Sequence, residues 1–190
     1  MVHRIHLRRA VGLVVSLLLA SFSLPVLASL KDENLLMPLP QNFKLGWQSP
    51  DSHMQEFIVP PETVNDWSRM ITIQIFHGLK NVTPDTFAER LAARWNSACN
   101  GASAQKVRDG VENGYQIAVW IYICPLNPAT HKPETMWLKD IDGADAFYVA
   151  QYAYRQEFSK EMVNPAMQFL RQVVVCDTRR ADRQCPANFR

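Results

Sequence analysis

The sequence lacks most of the short motifs that mark catalytic and nucleotide-binding sites. It has seven glycines in 190 residues and no glycine-rich phosphate loop, which excludes the common nucleotide-binding fingerprints. It has no G-x-S-x-G segment, so the nucleophile elbow of the α/β-hydrolases is absent. The sequence therefore predicts no catalytic residue and favours a protein that is not an enzyme.

Metal-binding motifs are missing as well. Past residue 28, no histidine has a second histidine three or four residues away, and no two cysteines have C-x-x-C spacing. Those are the spacings with which helices and zinc knuckles usually hold a metal. The sequence therefore predicts no metal ligand and no cofactor.

An apolar run long enough to span a bilayer is also absent. The uncharged run 11–24 has fourteen residues, and a spanning helix needs about 20. It follows Arg4, Arg8 and Arg9 and precedes Pro25 and a small residue, Ala28. This layout predicts a secretory signal peptide over 1–28, cleaved after Ala28, and a periplasmic or secreted protein that does not span the membrane. A retained membrane anchor is the alternative.

Without the signal peptide the chain has no excess of either charge. The whole sequence has 20 basic and 18 acidic residues, and the first 28 residues hold three of the basic ones and no acid. The remaining 162 residues therefore carry 17 basic and 18 acidic residues, a formal charge of −1. A chain of that balance has no electrostatic footprint for nucleic acid, and its length suits one domain.

Four cysteines are present, at Cys99, Cys124, Cys176 and Cys185. An even number in an exported chain predicts two disulfides. We expect Cys99–Cys124 to join a helix end to the strand that packs against it. We expect Cys176–Cys185 to close a short C-terminal loop on itself. A zinc site is the alternative, and the spacing does not favour it.

The pattern of elements predicts an extended lead-in over 29–41 and a single α+β domain over 42–190 that ends in the disulfide-closed loop. Apolar and alternating runs predict seven strands, at 43–48, 54–60, 67–78, 106–111, 115–124, 135–141 and 145–155. One helix, capped by Thr83, follows the third strand, and another, capped by Asn164, follows the seventh. This order predicts an antiparallel sheet of about five to seven strands with two helices packed on one side.

Several segments also predict which side chains are buried. Ile71, Ile73 and Ile75 should face the core, with Thr72 and Gln74 on the less buried side. Helical spacing predicts one apolar stripe at Phe87, Leu91, Trp95 and Ala98 and a second at Ala166, Phe169, Leu170, Val173 and Val174. The strand at 115–124 is apolar on both faces and should be covered on both.

Two groups of side chains allow more than one interpretation. Four acids, Glu134, Asp140, Asp142 and Asp145, are expected around one turn, which is either a solvated turn or a calcium site. Five aromatic residues lie on strands that we expect to be neighbours, and they form either core or an exposed binding face: Trp120, Tyr122, Tyr148, Tyr152 and Tyr154.

The segment CDTRRADRQC carries Arg179, Arg180 and Arg183 between the last two cysteines, with Asp177 and Asp182 among them. One interpretation is that the loop secures the end of the chain, its aspartates pairing locally with its arginines. The other is that the arginines bind a carboxylate or phosphate on a partner, because guanidinium groups suit bidentate anion contacts.

The sequence therefore predicts an exported, non-enzymatic binding module that recognises a protein partner or an envelope component. A periplasmic immunity-type protein that neutralises a toxin is one alternative. A small hydrolase assembled from distant residues such as His77, His131 and Asp142 is the other.

Overall fold

The computed structural model of the protein describes residues 30–79 and 81–186, so the predicted signal peptide at 1–28 lies outside the described residues. The described part contains nine strands and two α-helices. Their bounds are β1 Glu33–Leu36, β2 Lys44–Gln48, β3 Met54–Ile58, β4 Arg69–His77, α1 Pro84–Ala98, β5 Ser103–Glu112, β6 Tyr115–Asn127, β7 Lys132–Asp142, β8 Ala146–Tyr154, α2 Val163–Gln172 and β9 Val174–Asp177.

Seven of these strands form one antiparallel sheet in the order β2-β3-β4-β8-β7-β6-β5. β1 and β9 form a second, two-stranded antiparallel sheet. The predicted α+β class, with its antiparallel sheet of seven strands, two helices and two disulfides, is confirmed. The extended lead-in contributes β1, which pairs with β9 near the opposite end of the chain.

The two helices pack on opposite faces of the large sheet, so the prediction of helices on one side is wrong. On the face that we call the α1 face, Ala88 of α1 lies in one cluster with Ala118, Tyr122 and Phe147. On the other, which we call the α2 face, a second cluster joins α2 to the alternate strand residues: Ile71, Ile117, Tyr152, Phe169 and Leu170. The central strands are apolar on both sides, and helices on one side would leave the other side of these strands exposed to water.

The alternation in β4 is confirmed in part. Ile71 and Ile73 are buried on the α2 face, while Ile75 is half-buried. Thr72 is buried too, at 6% exposure, so the expectation that it faces a less buried side is wrong. The reason is that α1 and its neighbouring residues cover the face that Thr72 shares with Met70.

Helix α1 begins where the sequence predicts. The Thr83 hydroxyl accepts a hydrogen bond from the Thr86 N–H at 3.2 Å, and Pro84 and Asp85 occupy the first turn. Its stripe is only half-buried at Phe87, Leu91 and Trp95, and Ala98 is exposed. The Tyr122 hydroxyl donates to the Ala88 carbonyl at 3.0 Å, which fixes α1 on the sheet.

Helix α2 differs from the prediction at both ends. It begins at Val163 after a short 3-10 turn, and no side chain in the described part of the chain caps it, so Asn164 is not its cap. It ends at Gln172 rather than running to Val174. Val174 instead pairs with Leu36 of β1, because strand pairing with a distant segment replaces the helical periodicity that the local sequence suggests. Neither α1 nor α2 combines the length and apolar character of a membrane-crossing helix, and no other helix in the described ranges does.

Both predicted disulfides are present. Cys99, directly after α1, is bonded to Cys124 of β6, and Cys176 of β9 is bonded to Cys185. The β5–β6 hairpin turns at Asn113 and Gly114, both with positive φ, as the Asn-Gly pair predicts. The cysteines and the turn residues therefore hold α1 and the last segment of the chain against the sheet.

A buried lysine joins three parts of the fold on the α2 face. Lys139 of β7 is 1% exposed, and its ammonium group donates to the carbonyls of Val173 at 2.7 Å and Leu170 at 3.1 Å. It also forms an ion pair with Glu112 at the end of β5. Burial lowers the pKa of Lys139, and Glu112 opposes that effect. The lysine thus caps the carboxyl end of α2, where a positive charge is favoured.

A buried acid lies on the opposite face of the same strand. Asp140 is fully buried, and neither of its carboxyl oxygens has a hydrogen-bond partner among the described residues. Burial, with a smaller effect from the negative charge of Asp85, raises the pKa of Asp140 well above its usual range. The buried position therefore favours the neutral form of Asp140, because an isolated carboxylate is costly to bury.

We predict that Lys139→Met destabilises the protein by roughly 3–5 kcal/mol, because it leaves Glu112 without its buried partner and two helix carbonyls without a donor. Urea denaturation measures the loss. Lys132→Met is the matched control: Lys132 lies on the same strand, and its ion pair with Asp66 is exposed. The control should cost about 0–1 kcal/mol. Equal losses in the two variants would contradict the bridging role of Lys139.

We predict that Asp140→Asn removes a pH dependence of stability. The folded protein keeps Asp140 protonated, whereas the unfolded chain ionises near pH 3.9, so wild-type stability declines as the pH rises above that value toward the folded pKa. The decline is up to about 1.4 kcal/mol per pH unit. Asparagine is neutral throughout, so the variant should gain on the wild type as the pH rises from about 4 toward the folded pKa, and not at pH 3. Parallel stability curves across this range would show that Asp140 is ionised when folded.

Candidate functional site

The C-terminal segment 176–185, which we call the terminal ring, is closed by the Cys176–Cys185 disulfide. Its first residues belong to β9, where Asn34 pairs with Cys176 and Glu33 with Asp177. The Thr178 N–H donates to the Asp32 carbonyl at 3.0 Å and continues that pairing. The ring is therefore held at its base by a strand from the other end of the described chain.

Arg179 fixes the ring to the sheet. Its guanidinium group donates to Asp177 at 2.7 and 2.8 Å and to Asp145, in the β7–β8 turn, at 2.8 Å. Asp177 is 1% exposed, and the hydrogen bonds from Arg179 lower its pKa. Arg179 thus neutralises a buried carboxylate and joins two loops, so its role in this structure is to hold the ring in place.

Arg183 is also engaged. Its guanidinium carbon lies 4.3 Å from the centre of the Tyr115 ring, within the range of a cation–π contact. The side chain also covers Gly114, whose backbone has φ of +77° and whose missing Cβ would lie 3.1 Å from Arg183. Arg183 therefore packs the ring against the β5–β6 turn.

Arg180 is about as exposed as Arg179, at 49% against 45%, but its side-chain hydrogen bonds stay within the ring. Its guanidinium group donates to Asp182 at 3.0 and 3.1 Å, and both side chains of this pair are exposed to water. Beside it is an open cavity of about 390 Å³, which is lined by Leu30, Asp177, Thr178, Arg179, Arg180, Ala181, Gln184 and Cys185. The predicted local pairing of ring aspartates with ring arginines is present, and it leaves Arg180 the most accessible of the three.

The five aromatic residues do not form an exposed face. Each is at most 9% exposed, and they belong to two separate clusters: Trp120 and Tyr122 on the α1 face, and Tyr148, Tyr152 and Tyr154 on the α2 face. Of the two interpretations, core is correct and an exposed aromatic binding face is wrong. The reason is that α1 covers one face of the strands that carry them and α2 covers the other.

The four acids are not gathered around one turn, so the calcium interpretation is wrong. Glu134 lies near the start of β7 and Asp142 at its end, roughly 27 Å apart at about 3.4 Å per residue. Asp140 is in the core, and Asp145 pairs with Arg179. The described residues contain no group of three or more His, Cys, Asp or Glu side chains that could hold a metal.

The β7–β8 turn binds a carboxylate rather than a cation. Glu33 of β1 accepts hydrogen bonds from the Ala144 N–H at 2.7 Å and the Asp145 N–H at 2.9 Å, and from the Tyr148 hydroxyl at 3.1 Å. A Cβ at Gly143 would overlap the Glu33 carboxylate, so this approach needs glycine. The turn directs its N–H donors at the bound group, whereas a calcium loop directs oxygen atoms at its ion.

The histidines of the hydrolase alternative are not brought together. His77 ends β4 and Asp142 ends β7 at one end of the sheet, whereas His131 precedes β7 at the other end. The structure instead places His77 beside His53, with ring centres 4.6 Å apart. Sequence reasoning missed this pair because 24 residues separate them, although a β3–β4 pairing register would have indicated it.

Comparison with known proteins finds a shared fold without a shared sequence family. No protein-family model and no curated protein matches the sequence. The Ran-binding protein Mog1p of Saccharomyces cerevisiae gives a TM-score of 0.51 at 10% identity, over 80% of this chain and 98% of that chain. A mutant of the protein Mog1 gives 0.50 at 9% identity, over 74% and 89%. LpqN of Mycobacterium tuberculosis, which is involved in cell envelope biogenesis, gives 0.48 at 11%, over 79% and 86%. The chain has a Mog1-like α+β fold.

Proposed function

We propose that this chain is an exported, non-enzymatic binding module that contacts a protein partner or an envelope component through the surface of the terminal ring around Arg180. The observation that carries the proposal is the restraint of the ring. The disulfide, the β1–β9 pairing, the Arg179 hydrogen bonds and the Arg183–Tyr115 contact all hold it in place. A loop fixed before binding loses little conformational entropy when a partner arrives.

The chemistry of the surface favours an anionic group on the partner. Arg180 contributes a planar guanidinium group, which suits two parallel hydrogen bonds to a carboxylate or phosphate. Its present pair with Asp182 is exposed, and such pairs are worth about 0–1 kcal/mol, so a partner's anion can replace it at little cost. Leu30 and the Thr178 side chain line the adjoining cavity and offer an apolar and a polar contact.

Two further observations support the exported, non-enzymatic part of the proposal. All four cysteines are paired in disulfides, which persist in the periplasm and outside the cell. The predicted signal peptide at 1–28 leads to the same compartments. The fold neighbour Mog1p is a Ran-binding protein, so at least one other chain with this fold binds a protein. The three residues of the hydrolase alternative lie at two ends of the sheet.

The experiment places a photo-reactive residue at Ala181, which is exposed beside Arg180, and at Ala93, an exposed position on α1. Irradiation in the native envelope should join a discrete partner to the Ala181 protein and not to the Ala93 protein. We predict that Arg180→Gln, made in the Ala181 protein, reduces the cross-linked product at least tenfold and changes the melting temperature little, since the Arg180–Asp182 pair is exposed.

Arg94→Gln is the matched control, because Arg94 is an exposed arginine on α1 away from the ring. It should leave the cross-linked product unchanged. Arg179 and Arg183 are unsuitable for this test, since changing them removes contacts that hold the ring. Undiminished cross-linking by the Arg180→Gln protein, or equal cross-linking from Ala93, would reject the ring surface as the binding site.

A further inference from the structure

The pairing of β3 with β4 brings two histidines from separate segments to one end of the sheet. His53 directly precedes β3, and its carbonyl accepts a hydrogen bond from the Ile75 N–H at 2.8 Å. His77 ends β4 two residues later. The two imidazole rings lie with their centres 4.6 Å apart and their planes at 53°. Backbone hydrogen bonding therefore fixes the separation of the two side chains.

An aspartate orients one of these rings. The Asp51 carboxylate lies 3.1 Å from Nδ1 of His53 and accepts hydrogen bonds from the His53 backbone N–H, at 3.1 Å, and the Ser49 hydroxyl. These contacts hold the Asp51 carboxylate in line with the Nδ1 side of the His53 ring. A carboxylate facing Nδ1 places the proton on that nitrogen and leaves the Nε2 lone pair available.

The surroundings leave space beside the two rings. An open cavity of about 580 Å³ adjoins them, with Met54, Gln74, Phe76 and Leu79 in its lining. The side chain of His53 is 46% exposed and His77 is exposed, so both rings have room to turn toward a common ion. Imidazole nitrogens bind a metal at about 2.0–2.1 Å, so two rings with centres 4.6 Å apart lie within reach of one ion placed between them.

We propose that His53 and His77 form a two-imidazole binding site for a divalent transition metal ion, with Asp51 as the residue that positions His53. Imidazole is a good ligand for copper and zinc, and the general order of affinity of divalent ions places Cu²⁺ above Zn²⁺. No group of three donor side chains exists in the described part of the chain, so water completes the coordination. The site is separate from the surface around Arg180 and does not depend on the proposed binding function.

The test is a Cu²⁺ titration of the purified, oxidised and untagged protein, followed by isothermal calorimetry and electron paramagnetic resonance at fixed pH. The wild type should bind one Cu²⁺ with a spectrum that shows two imidazole nitrogens. His53→Ala and His77→Ala should each leave one nitrogen and weaken binding at least tenfold. Zn²⁺ should bind the same site more weakly and compete with Cu²⁺ only in excess.

Two further variants separate this site from other sources of copper binding. Asp51→Asn should keep the two-nitrogen spectrum and weaken affinity by about 10–100-fold, as expected for a residue that positions a ligand. His131→Ala is the matched control, because His131 lies at the other end of the sheet, and it should bind as the wild type does. A His53→Ala/His77→Ala protein with unchanged stoichiometry and spectrum, or a wild type that binds no Cu²⁺, would overturn the proposal.

Discussion

The fold depends on placing one ammonium group inside the protein. Lys139 is buried at the centre of the large sheet, where an unpaired charge would be costly, so acceptors must converge on it from several directions. Glu112 comes from the end of β5, the Leu170 carbonyl from the last turn of α2, and the Val173 carbonyl from the residue that follows the helix. This requirement fixes where α2 ends. Because β9 follows α2 directly, it also fixes where the final strand and the terminal ring begin.

The end of the sheet nearest the ring is cross-linked by polar side chains rather than by apolar packing alone. Glu33 holds the β7–β8 turn, Arg179 joins that turn to the ring, and the Asn113 side chain donates to the Val175 carbonyl at 2.8 Å. Each of these contacts joins segments that are distant in sequence. Loops usually carry function on a rigid scaffold, and here the loops themselves are part of the scaffold. The position of Arg180 is therefore set by contacts that its own side chain does not make.

Local patterns predicted the elements that local chemistry determines. The alternation in β4, the Thr83 cap of α1, the Asn113–Gly114 turn and both disulfides all follow from neighbouring residues or from cysteine placement. The face of the sheet on which each helix packs could not be predicted, and neither could strands β1 and β9, because both depend on which distant segments meet. Four residues such as those of β1 have no strong strand signal, and pairing with β9 alone makes them a strand. The His53–His77 pair was missed for the same reason. For the five aromatic residues the sequence allowed either core or an exposed face, because the choice depends on where the helices pack.

The pairing of β1 with β9 has a consequence for the order in which the protein is completed. These strands lie about 140 residues apart, so β1 has no partner until nearly the whole chain is available. Contacts of such long range form late, because closing the large loop between them is entropically costly. The terminal ring is therefore among the last parts of the structure to form, and a chain truncated before β9 would lack the ring and leave β1 without its partner strand.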